Sequence, residues 1–308
     1  MLGPHVVGER VVVRRLLRGE TGPTGGPAFT DVLGVCLSWA GGTAVILRED
    51  GTRVSIPTRD IVSGKPVPPR PPVRHRVSTR EAESHAAPLW PRVERTPLGA
   101  WELRFDPAPV GRPRKRANSC LAIGDPGIPV AEAAAIVTAH YAERDRPALV
   151  QVEADSDVDR ALTDLGWTPV SGDAALLLGS LARARRGLDK LDQPETADHD
   201  ITLVRNDPRA QSRCLVGESL VGSAEAAYDG DWLGVHSLHV EEAHRRRGVG
   251  GALLAELLDF GAEKGCLTLW LHVELDNVAA IRMYEKLGLG VHHTCRYLTA
   301  PQTGQAAG

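Results

Sequence analysis

Residues 244–254 read His244-Arg-Arg-Arg-Gly-Val-Gly-Gly-Ala-Leu-Leu254 and decide the fold of this chain. An apolar segment over 235–240 precedes them and predicts a strand, and the residues that follow predict an amphipathic helix. Glycines at such a turn let a ligand approach the backbone, and the first N–H groups of a helix bind anions. Because the arginines add positive charge, the turn is predicted to bind a diphosphate.

The sequence downstream continues this pattern. Gly265 is expected to end the helix, and a strand is predicted over 267–273. A second helix is predicted between Asn277 and Gly288, with Asn277 and Tyr284 on one face because seven residues make two turns. The apolar stripe of the first helix consists of Leu253, Leu254, Leu257, Leu258 and Gly261.

Together these residues resemble the GCN5-related N-acetyltransferase (GNAT) superfamily. Its signature is R/Q-x-x-G-x-G/A followed by N-x-x-A-x-x-x-Y-x-x-x-G, and residues 245–250 and 277–288 match both parts in this order. The resemblance covers roughly residues 200–300. It implies an α/β (α+β) fold with mixed central sheets and flanking helices, and acetyl-CoA as the cofactor.

The resemblance also implies which residues hold acetyl-CoA. In this fold the strand before the turn splays from its neighbour, so Leu238, His239 and Val240 would offer backbone N–H groups to the pantetheine arm and the acetyl carbonyl. Asn277 would hold the pantetheine or order its helix. The residues implied at the diphosphate are Arg245, Arg246, Arg247, Gly248, Val249, Gly250 and Gly251.

Tyr284 is the implied general acid, which protonates the departing thiolate. A tyrosine has an ordinary pKa of about 10, so it keeps its proton near neutral pH. The general base stays open between His236 and His272, on neighbouring predicted strands, and two further options are Glu218 and Glu274. Strict alternation along the strand predicts that His236 shares a face with Leu238 and Val240.

Composition narrows the function classes. The formal net charge is −3, so no global signal for nucleic acid or membrane is present. No stretch approaches 18 apolar residues, and the first 15 residues lack an apolar signal core. The five cysteines are scattered and odd in number, which favours reduced thiols in a cytoplasmic protein. We expect no metal site, since His292 and His293 have no acidic or thiol partner at suitable spacing; no feature predicts an oligomeric state.

The N-terminal region predicts a separate small domain. Four β-rich segments over 6–16, 30–39, 42–48 and 52–57, with a turn at 49–51, suggest an SH3-like β-barrel over 1–65. A proline-rich run then predicts a stiff linker over 66–78. Residues 1–77 carry 11 Lys/Arg against 6 Asp/Glu. This charge would suit nucleic acid or an acidic protein, but without interleaved aromatic residues we favour a solvated domain without such a partner.

The rest of the chain is predicted to contain a duplication. Residues 151–156 mirror 272–277, and residues 161–167 mirror 283–289. We therefore expect a first copy over 79–190 and a second copy over 195–308, joined by a connector over 182–196. In the first copy Asp125 would repel a diphosphate, and Pro129 is aligned with Gly250 and removes an N–H group. Ser156 and Leu162 replace Asn277 and Tyr284, so the first copy is predicted to be silent.

Chain length predicts where the acceptor binds. Only about eight residues separate the strand at 200–204 from the next strand near Arg213, whereas GNAT domains place two helices there. We therefore expect the first copy to complete the acceptor cleft, close to His236 and His292. A fragment of residues 195–308 is expected to retain acetyl-CoA binding and to lose most turnover.

The order of barrel, silent copy and active copy resembles a group of actinobacterial tandem GNAT proteins. Some of that group are described as N-acetylglutamate synthases. The sequence thus predicts an N-acetyltransferase acting on a small-molecule amine, for example the α-amine of an amino acid such as glutamate. Two alternatives stay open: a protein acetyltransferase, for lysines or N-termini, recruited through the basic barrel, and a non-enzymatic acyl-CoA sensor.

Overall fold

The structure, a computed structural model, describes residues 2–22, 25–48, 50–67, 73–109, 114–170, 172–188 and 199–301. They form two compact units whose boundary in sequence lies between Pro72 and Val73. Parts of the predicted turn at 49–51, of the linker over 66–78 and of the connector over 182–196 lie outside the described residues. No helix in the described part of the chain is long and apolar enough to span a membrane.

The first unit is a five-stranded antiparallel sheet. Its strands are β1 (Arg10–Thr21), β2 (Pro27–Ala40), β3 (Thr43–Leu47), β4 (Arg53–Pro57) and β5 (Ile61–Pro66). They are arranged in the order β4-β3-β2-β1-β5, and β4 and β5 form no ladder with each other among the described residues. The first four strands overlap the predicted segments. A 3-10 helix at Thr58–Asp60 precedes β5.

The second unit contains twelve strands and six α-helices among its described residues. The strands are β6 (Glu94–Leu98), β7 (Trp101–Phe105), β8 (Cys120–Leu121), β9 (Leu149–Glu153), β10 (Thr168–Pro169), β11 (Ala174–Ser180), β12 (Asp200–Asn206), β13 (Arg209–Val216), β14 (Ser219–Asp229), β15 (Trp232–Val240), β16 (Thr268–Glu274) and β17 (Gly290–Thr299). The helices are α1 (Thr79–Ser84), α2 (Val130–Ala142), α3 (Asp157–Asp164), α4 (Leu181–Leu188), α5 (Val249–Glu263) and α6 (Val278–Lys286).

All twelve strands join one mixed sheet. Its order is β12-β13-β14-β15-β16-β11-β17-β9-β8-β7-β6, and β10 pairs with β17 beside this path. The β15–β16 and β8–β9 pairs are parallel and the others antiparallel. The predicted mixed sheets are therefore one continuous sheet.

The two copies exchange strands within this sheet. Strand β11, which belongs to the first copy, lies between β16 and β17 of the second copy and pairs with both. In turn β17 pairs with β9 of the first copy. This pairing argues against the expectation that residues 195–308 bind acetyl-CoA as a fragment, because that fragment lacks the strand that joins β16 to β17.

The two faces of the second copy's sheet are covered by different parts of the chain. On one face α5 packs its leucines against buried residues of β11, β14, β15 and β16. On the other face Ala82, Ala86 and Leu89 pack against Leu176 and Trp270. Strands β12 and β13 are joined by a tight turn without a helix. The segment with α1 and the 3-10 helix Ala87–Leu89, from the first copy, thus covers the face that lacks its own helices.

The duplication predicted from sequence has a local structural counterpart. Strand β9 leads into α3, whose N-cap residue Ser156 accepts a hydrogen bond from the Asp159 N–H at 3.1 Å. Strand β16 leads into α6, whose N-cap residue Asn277 accepts one from the Ala280 N–H at 3.1 Å. Each copy therefore repeats the order strand, cap and helix.

The alignment of the two turns needs correction. Pro129 is the N-cap of α2 and Gly248 is the N-cap of α5, so the helix starts equate Pro129 with Gly248 and not with Gly250. Sequence spacing could not show this, because the segment from the helix start to the mirrored strand is two residues longer in the second copy, 249–272, than in the first, 130–151. The Asp125 carboxylate accepts a hydrogen bond from the Gly127 N–H at 2.8 Å and so occupies one donor of the first copy's turn.

Candidate active site

The turn between β15 and α5 has the conformation that an anion site requires. Gly248 is the N-cap of α5 with a φ of +79°, and Arg246 has a φ of +59°. In the first turn of α5 the N–H groups of Val249, Gly250 and Gly251 have no acceptor within the helix. A Cβ built on Gly250 would meet only Val240, at 3.8 Å, so the space beside this glycine contains no close protein atom.

The three arginines of the turn have different surroundings. The Arg245 Nε donates to the Val240 carbonyl at 2.9 Å, which fixes the turn to the end of β15. Arg246 and Arg247 are exposed and have no hydrogen bond or ion pair with any described residue. Their charge, added to the positive end of the α5 dipole, favours a ligand with two phosphates. These residues fit the diphosphate of acetyl-CoA.

Strands β15 and β16 separate beside this turn. Their parallel pairing ends at Val235 and Leu271, although both strands continue. Leu238, His239 and Val240 consequently have no ladder to β16 among the described residues. A gap of this kind, with free backbone groups on one side, fits the extended pantetheine arm that the sequence analysis placed there.

The prediction that His236 shares a face with Leu238 and Val240 is wrong. Strand β15 has a β-bulge at this point, because Glu225 pairs with His236 and Ser223 pairs with His239. The extra residue, with Ser237 at a φ of +55°, shifts the alternation of side chains by one. Leu238 and Val240 therefore pack toward α5, whereas His236 points to the opposite face.

A cavity of about 170 Å³ lies on this opposite face, beside the gap between β15 and β16. The second copy contributes His236, His272 and Glu274, and the first copy contributes Arg114 and Arg116. Other residues that line the cavity include Trp90, Ser237, Trp270 and Tyr297. Both copies thus build the cavity.

The two histidines of the cavity are neutral at physiological pH. Burial lowers the pKa of His236 to about 4, and the charges of Arg114 and Arg116 add to the effect. Burial also lowers the pKa of His272 to about 4; the charge of Arg116 lowers it further, whereas Glu83 opposes the shift. A neutral imidazole has one lone pair that accepts a proton, so each ring has the lone pair that a general base needs.

The hydrogen bonds of the two rings differ. His236 Nδ1 lies 2.8 Å from the Ser237 hydroxyl, which accepts from Arg114 at 2.6 Å. His272 Nε2 lies 2.7 Å from a carboxylate oxygen of Glu83, a residue of α1 whose side chain is fully buried. Nδ1 of His272 has no partner among the described residues.

Tyr284 lies in the core beside α5 with 6% of its surface exposed. Its hydroxyl has no hydrogen-bond partner within the described part of the chain. Burial raises the pKa of Tyr284 to about 12, so the phenol stays protonated. Asn277 uses its side-chain oxygen to cap α6, which is the ordering role foreseen as one of two alternatives.

Other predicted candidates lie elsewhere. Glu218 is exposed in the turn before β14 and does not line the cavity. His292 also lies outside the cavity lining, contrary to the expectation that it flanks the acceptor. Its ring contacts the Val77 carbonyl at 3.0 Å and His293 at 2.7 Å. Glu274 does line the cavity.

Sequence reasoning missed Glu83, Arg114 and Arg116. All three belong to the first copy, and no motif or periodicity relates them to the second copy. A buried glutamate in a short helix and a basic run such as Arg114-Lys-Arg116 look like surface features until the sheet brings them to the cavity.

In the first copy, the place that corresponds to the cofactor turn is acidic. A pocket there is lined by Asp125, Glu153 and Asp157 together with the N-terminal residues of α2 and α3. Three carboxylates would repel a diphosphate. Ser156 caps α3, and the buried Leu162 supplies no hydroxyl where the second copy has Tyr284.

Comparisons with known proteins agree with this geometry. Residues 181–289 match the model of the acetyltransferase (GNAT) family. The chain is 29% identical, over 97% of both lengths, to a Mycobacterium tuberculosis protein named a probable histone acetyltransferase. A segment of 17% of the chain is 44% identical to the ribosomal protein bS18-alanine N-acetyltransferase of Escherichia coli and spans 35% of that protein. A GCN5-related N-acetyltransferase from Kribbella flavida shares the fold over 72% of this chain and 95% of its own, with a TM-score of 0.55 and 17% identity.

Proposed function

We propose that this chain transfers the acetyl group of acetyl-CoA to the primary amine of a small molecule that carries a carboxylate. The α-amine of an amino acid such as glutamate has this chemistry. The match of residues 181–289 to the GNAT family model supports the acetyl transfer. The observation that carries the proposal is the cavity beside the β15–β16 gap, where two neutral histidines and two arginines meet. Arg116 has no ion-pair partner among the described residues, so its charge is available to a carboxylate.

Each group of residues in the site would have a separate role in the reaction. Acetyl-CoA would supply the thioester carbonyl that the amine attacks. The backbone of Leu238–Val240 would hold the pantetheine arm, and that of Gly248–Gly251 the diphosphate. His236 or His272 would take the proton of the amine, and Tyr284 would give a proton to the sulfur.

An α-amine suits this site better than a lysine side chain. An α-amine has an ordinary pKa near 8 and is partly neutral at physiological pH, whereas a lysine amine near 10.4 is almost wholly charged. Arg114 and Arg116 would also repel a basic peptide. Protein acetylation nevertheless stays the second candidate. Two relatives are named for it, and the positive charge of residues 1–77 would suit an acidic protein partner.

The first unit would serve that second candidate as a docking module. Its strand order, with a 3-10 helix before the last strand, supports our proposal of an SH3-like domain. Nucleic acid or an acidic protein would be its partner, although we favour a solvated domain. The five cysteines are free and buried, which supports a cytoplasmic location. An acyl-CoA sensor without activity is the weakest alternative, since binding alone does not need Tyr284.

Release of free thiol from acetyl-CoA tests the proposal over amino acids, their α-carboxamides, polyamines and peptides. We expect glutamate or another amino acid to be acetylated well and its α-carboxamide poorly. Arg116→Gln should raise the KM for the amino acid about 10-fold, since a charged hydrogen bond contributes about 1.5–3 kcal/mol. The KM for acetyl-CoA should not change, and Arg186→Gln on the exposed face of α4 is the control. Equal turnover of an amino acid and its α-carboxamide would contradict recognition of a carboxylate by the site. Turnover of peptides alone would favour protein acetylation, the second candidate.

A further inference from the structure

We propose that Glu83 and His272 act as a carboxylate–histidine pair in which His272 Nδ1 takes the proton of the attacking amine and Glu83 is its positioning residue. This inference rests on the proposed acetyl transfer and decides between the two histidines of the cavity. In this proposal α1 of the first copy supplies the residue that positions the base of the second copy.

Glu83 is the centre of a buried polar cluster. Its side chain is fully buried, and its Oε1 lies 2.7 Å from His272 Nε2, 3.1 Å from His293 Nε2 and 3.3 Å from Cys295 Sγ. Burial alone would raise the pKa of this carboxyl, yet its pKa lies well below the ordinary value, because the histidines beside it stabilise the carboxylate. A buried anion of this kind is unfavourable unless donors surround it. Three donors converge on Oε1, whereas Oε2 is buried without a hydrogen-bond partner among the described residues.

This arrangement assigns the proton of His272. Because Glu83 is ionised, the ring nitrogen that faces it carries a hydrogen, which is Nε2. The lone pair is then on Nδ1, which has no partner among the described residues. His272 lines the cavity, so this lone pair is left for the acceptor amine or for a water molecule between them.

His236 has the opposite arrangement. The Ser237 hydroxyl accepts a hydrogen bond from Arg114, and Glu225 lies beside His236 Nε2, which favours the hydrogen on Nε2 and leaves Nδ1 to accept from the hydroxyl. The lone pair of His236 is then occupied, and its Nε2–H faces Glu225 at 3.6 Å. His236 in this state has no lone pair for an incoming proton.

The proposed step conserves atoms and charge. The neutral amine nitrogen forms a bond to the thioester carbon, its proton passes to His272 Nδ1, and the carbon–sulfur bond breaks. The sulfur takes the proton of Tyr284 or of a water molecule; His272 later releases its proton to solvent, and Tyr284, where it is the donor, takes one back from solvent. Glu83 stays ionised throughout and stabilises the imidazolium that forms, which is how a carboxylate supports histidine in a catalytic triad.

Several groups face this ring and influence its titration. They lie on α1, β16, β17 and the segment before β8, and they are Glu83, Glu274, His293, Cys295, Tyr297 and Arg116. Arg116 lowers the pKa of His272 and Glu83 raises it. Removing the Glu83 charge should therefore move the acid limb of the kcat profile to lower pH while reducing its plateau.

The test is a double-mutant cycle with Glu83→Gln and His272→Gln in the full chain. We expect each single variant to lower kcat at least 100-fold with the KM for acetyl-CoA unchanged, and the double variant to be no slower than the slower single one. Asp159→Asn is the matched control: it removes another buried acid, paired with Arg296 outside the cavity, and should leave kcat unchanged. Additive losses, or a larger kcat loss in His236→Asn than in His272→Gln, would overturn the pair.

A second measurement does not depend on how well the variants fold. Nitrogen-15 NMR of the wild-type histidines reports the tautomer of His272, and we expect the hydrogen on Nε2; a hydrogen on Nδ1 would overturn the proposal. The donor atoms of Glu83, His272 and Cys295 lie within 4.8 Å of one another, so the protein is also analysed for zinc. A stoichiometric zinc ion would overturn the proposed pair, because the lone pairs of Glu83 and His272 would then coordinate the metal. A wild-type protein without acetyl transfer would instead refute the proposed function.

Discussion

Tyr284 combines burial with an unused hydroxyl. Its ring is 6% exposed in the core, burial raises its pKa to about 12, and its hydroxyl makes no hydrogen bond to the described residues. Such a group is protonated at physiological pH. It is therefore available as a proton donor to the sulfur when the carbon–sulfur bond breaks.

We therefore expect Tyr284→Phe to lower kcat about 100-fold with the KM for acetyl-CoA unchanged, since general acid catalysis contributes about 10²–10⁴-fold. The free energy of unfolding should change little, because no hydrogen bond to the described residues is lost. Tyr228→Phe removes a hydroxyl beside Phe260 and Lys264 and should leave kcat unchanged. A Tyr284→Phe enzyme with wild-type kcat would refute the role.

His236 and His272 make stability depend on pH. Their pKa values of about 4 in the folded protein lie below the ordinary value of about 6.5, so the unfolded chain binds more protons between these limits. The free energy of unfolding should therefore be highest above pH 6.5 and fall as pH drops toward 4.

At pH 5.5 each of these histidines should contribute a loss of about 1 kcal/mol relative to pH 7.5. Urea denaturation at both pH values measures the loss, and His236→Asn should reduce it by about this amount. If His236→Asn loses as much stability as the wild type over this interval, the pKa of His236 is not lowered in the folded protein, and its neutral state would not hold.

At the scale of elements, the start of α5 and the end of β15 together form the proposed cofactor site. Gly250 stands in the first turn of α5, where proline is tolerated but removes the N–H group. The neighbouring gap between β15 and β16 begins after Val235, next to the bulge at Ser237, which no sequence pattern indicated.

We expect Gly250→Pro to lower the affinity for CoA at least 10-fold in calorimetry while leaving the helix content unchanged. Gly250→Ala keeps the N–H group and adds a Cβ at ordinary distance from Val240, so its loss should be smaller. Equal CoA affinities of the wild type and both Gly250 variants would show that the diphosphate does not bind at this turn.

At the scale of the whole molecule, the exchange of β11 and β17 makes the two copies one folding unit. Leu176, Leu177 and Leu178 of β11 are fully buried, and the strand pairs with β16 over seven residues. The first copy is therefore required for the core of the second copy, independently of any part in catalysis.

A fragment of residues 195–308 should be unfolded by circular dichroism and should not bind acetyl-CoA, because β16 and β17 lose the strand between them. A fragment of residues 73–308 keeps the whole sheet and should fold and bind as the full chain does. A folded 195–308 fragment with wild-type affinity would show that β11 is dispensable.

The acidic pocket of the first copy leads to one further expectation for the molecule. Asp125, Glu153 and Asp157 would repel the diphosphate, so each chain should bind one acetyl-CoA. Calorimetric titration measures this number. Gly250→Pro should then abolish nearly all binding, and a second site of similar affinity would contradict the silent first copy.

The sequence determined the local features of this protein. The glycine turn, the helix after it, the glycine at position 265 and the capped helix at Asn277 follow from propensities and short-range contacts, which neighbouring residues encode. The same holds for the repeat of strand, cap and helix in the first copy. The acetyltransferase signature is local in this sense and could be read directly.

Only the tertiary structure decided the rest. The bulge at Ser237 moved His236 to the other face, and the strand exchange merged two predicted sheets into one. The sheet then brought Glu83 to His272 across 189 positions of the chain. Pairings of this kind depend on which strands meet after the whole sheet has formed, and no spacing along one sequence encodes them. The proposed cofactor turn is therefore encoded locally in the sequence, whereas the proposed acceptor cavity forms only in the complete fold.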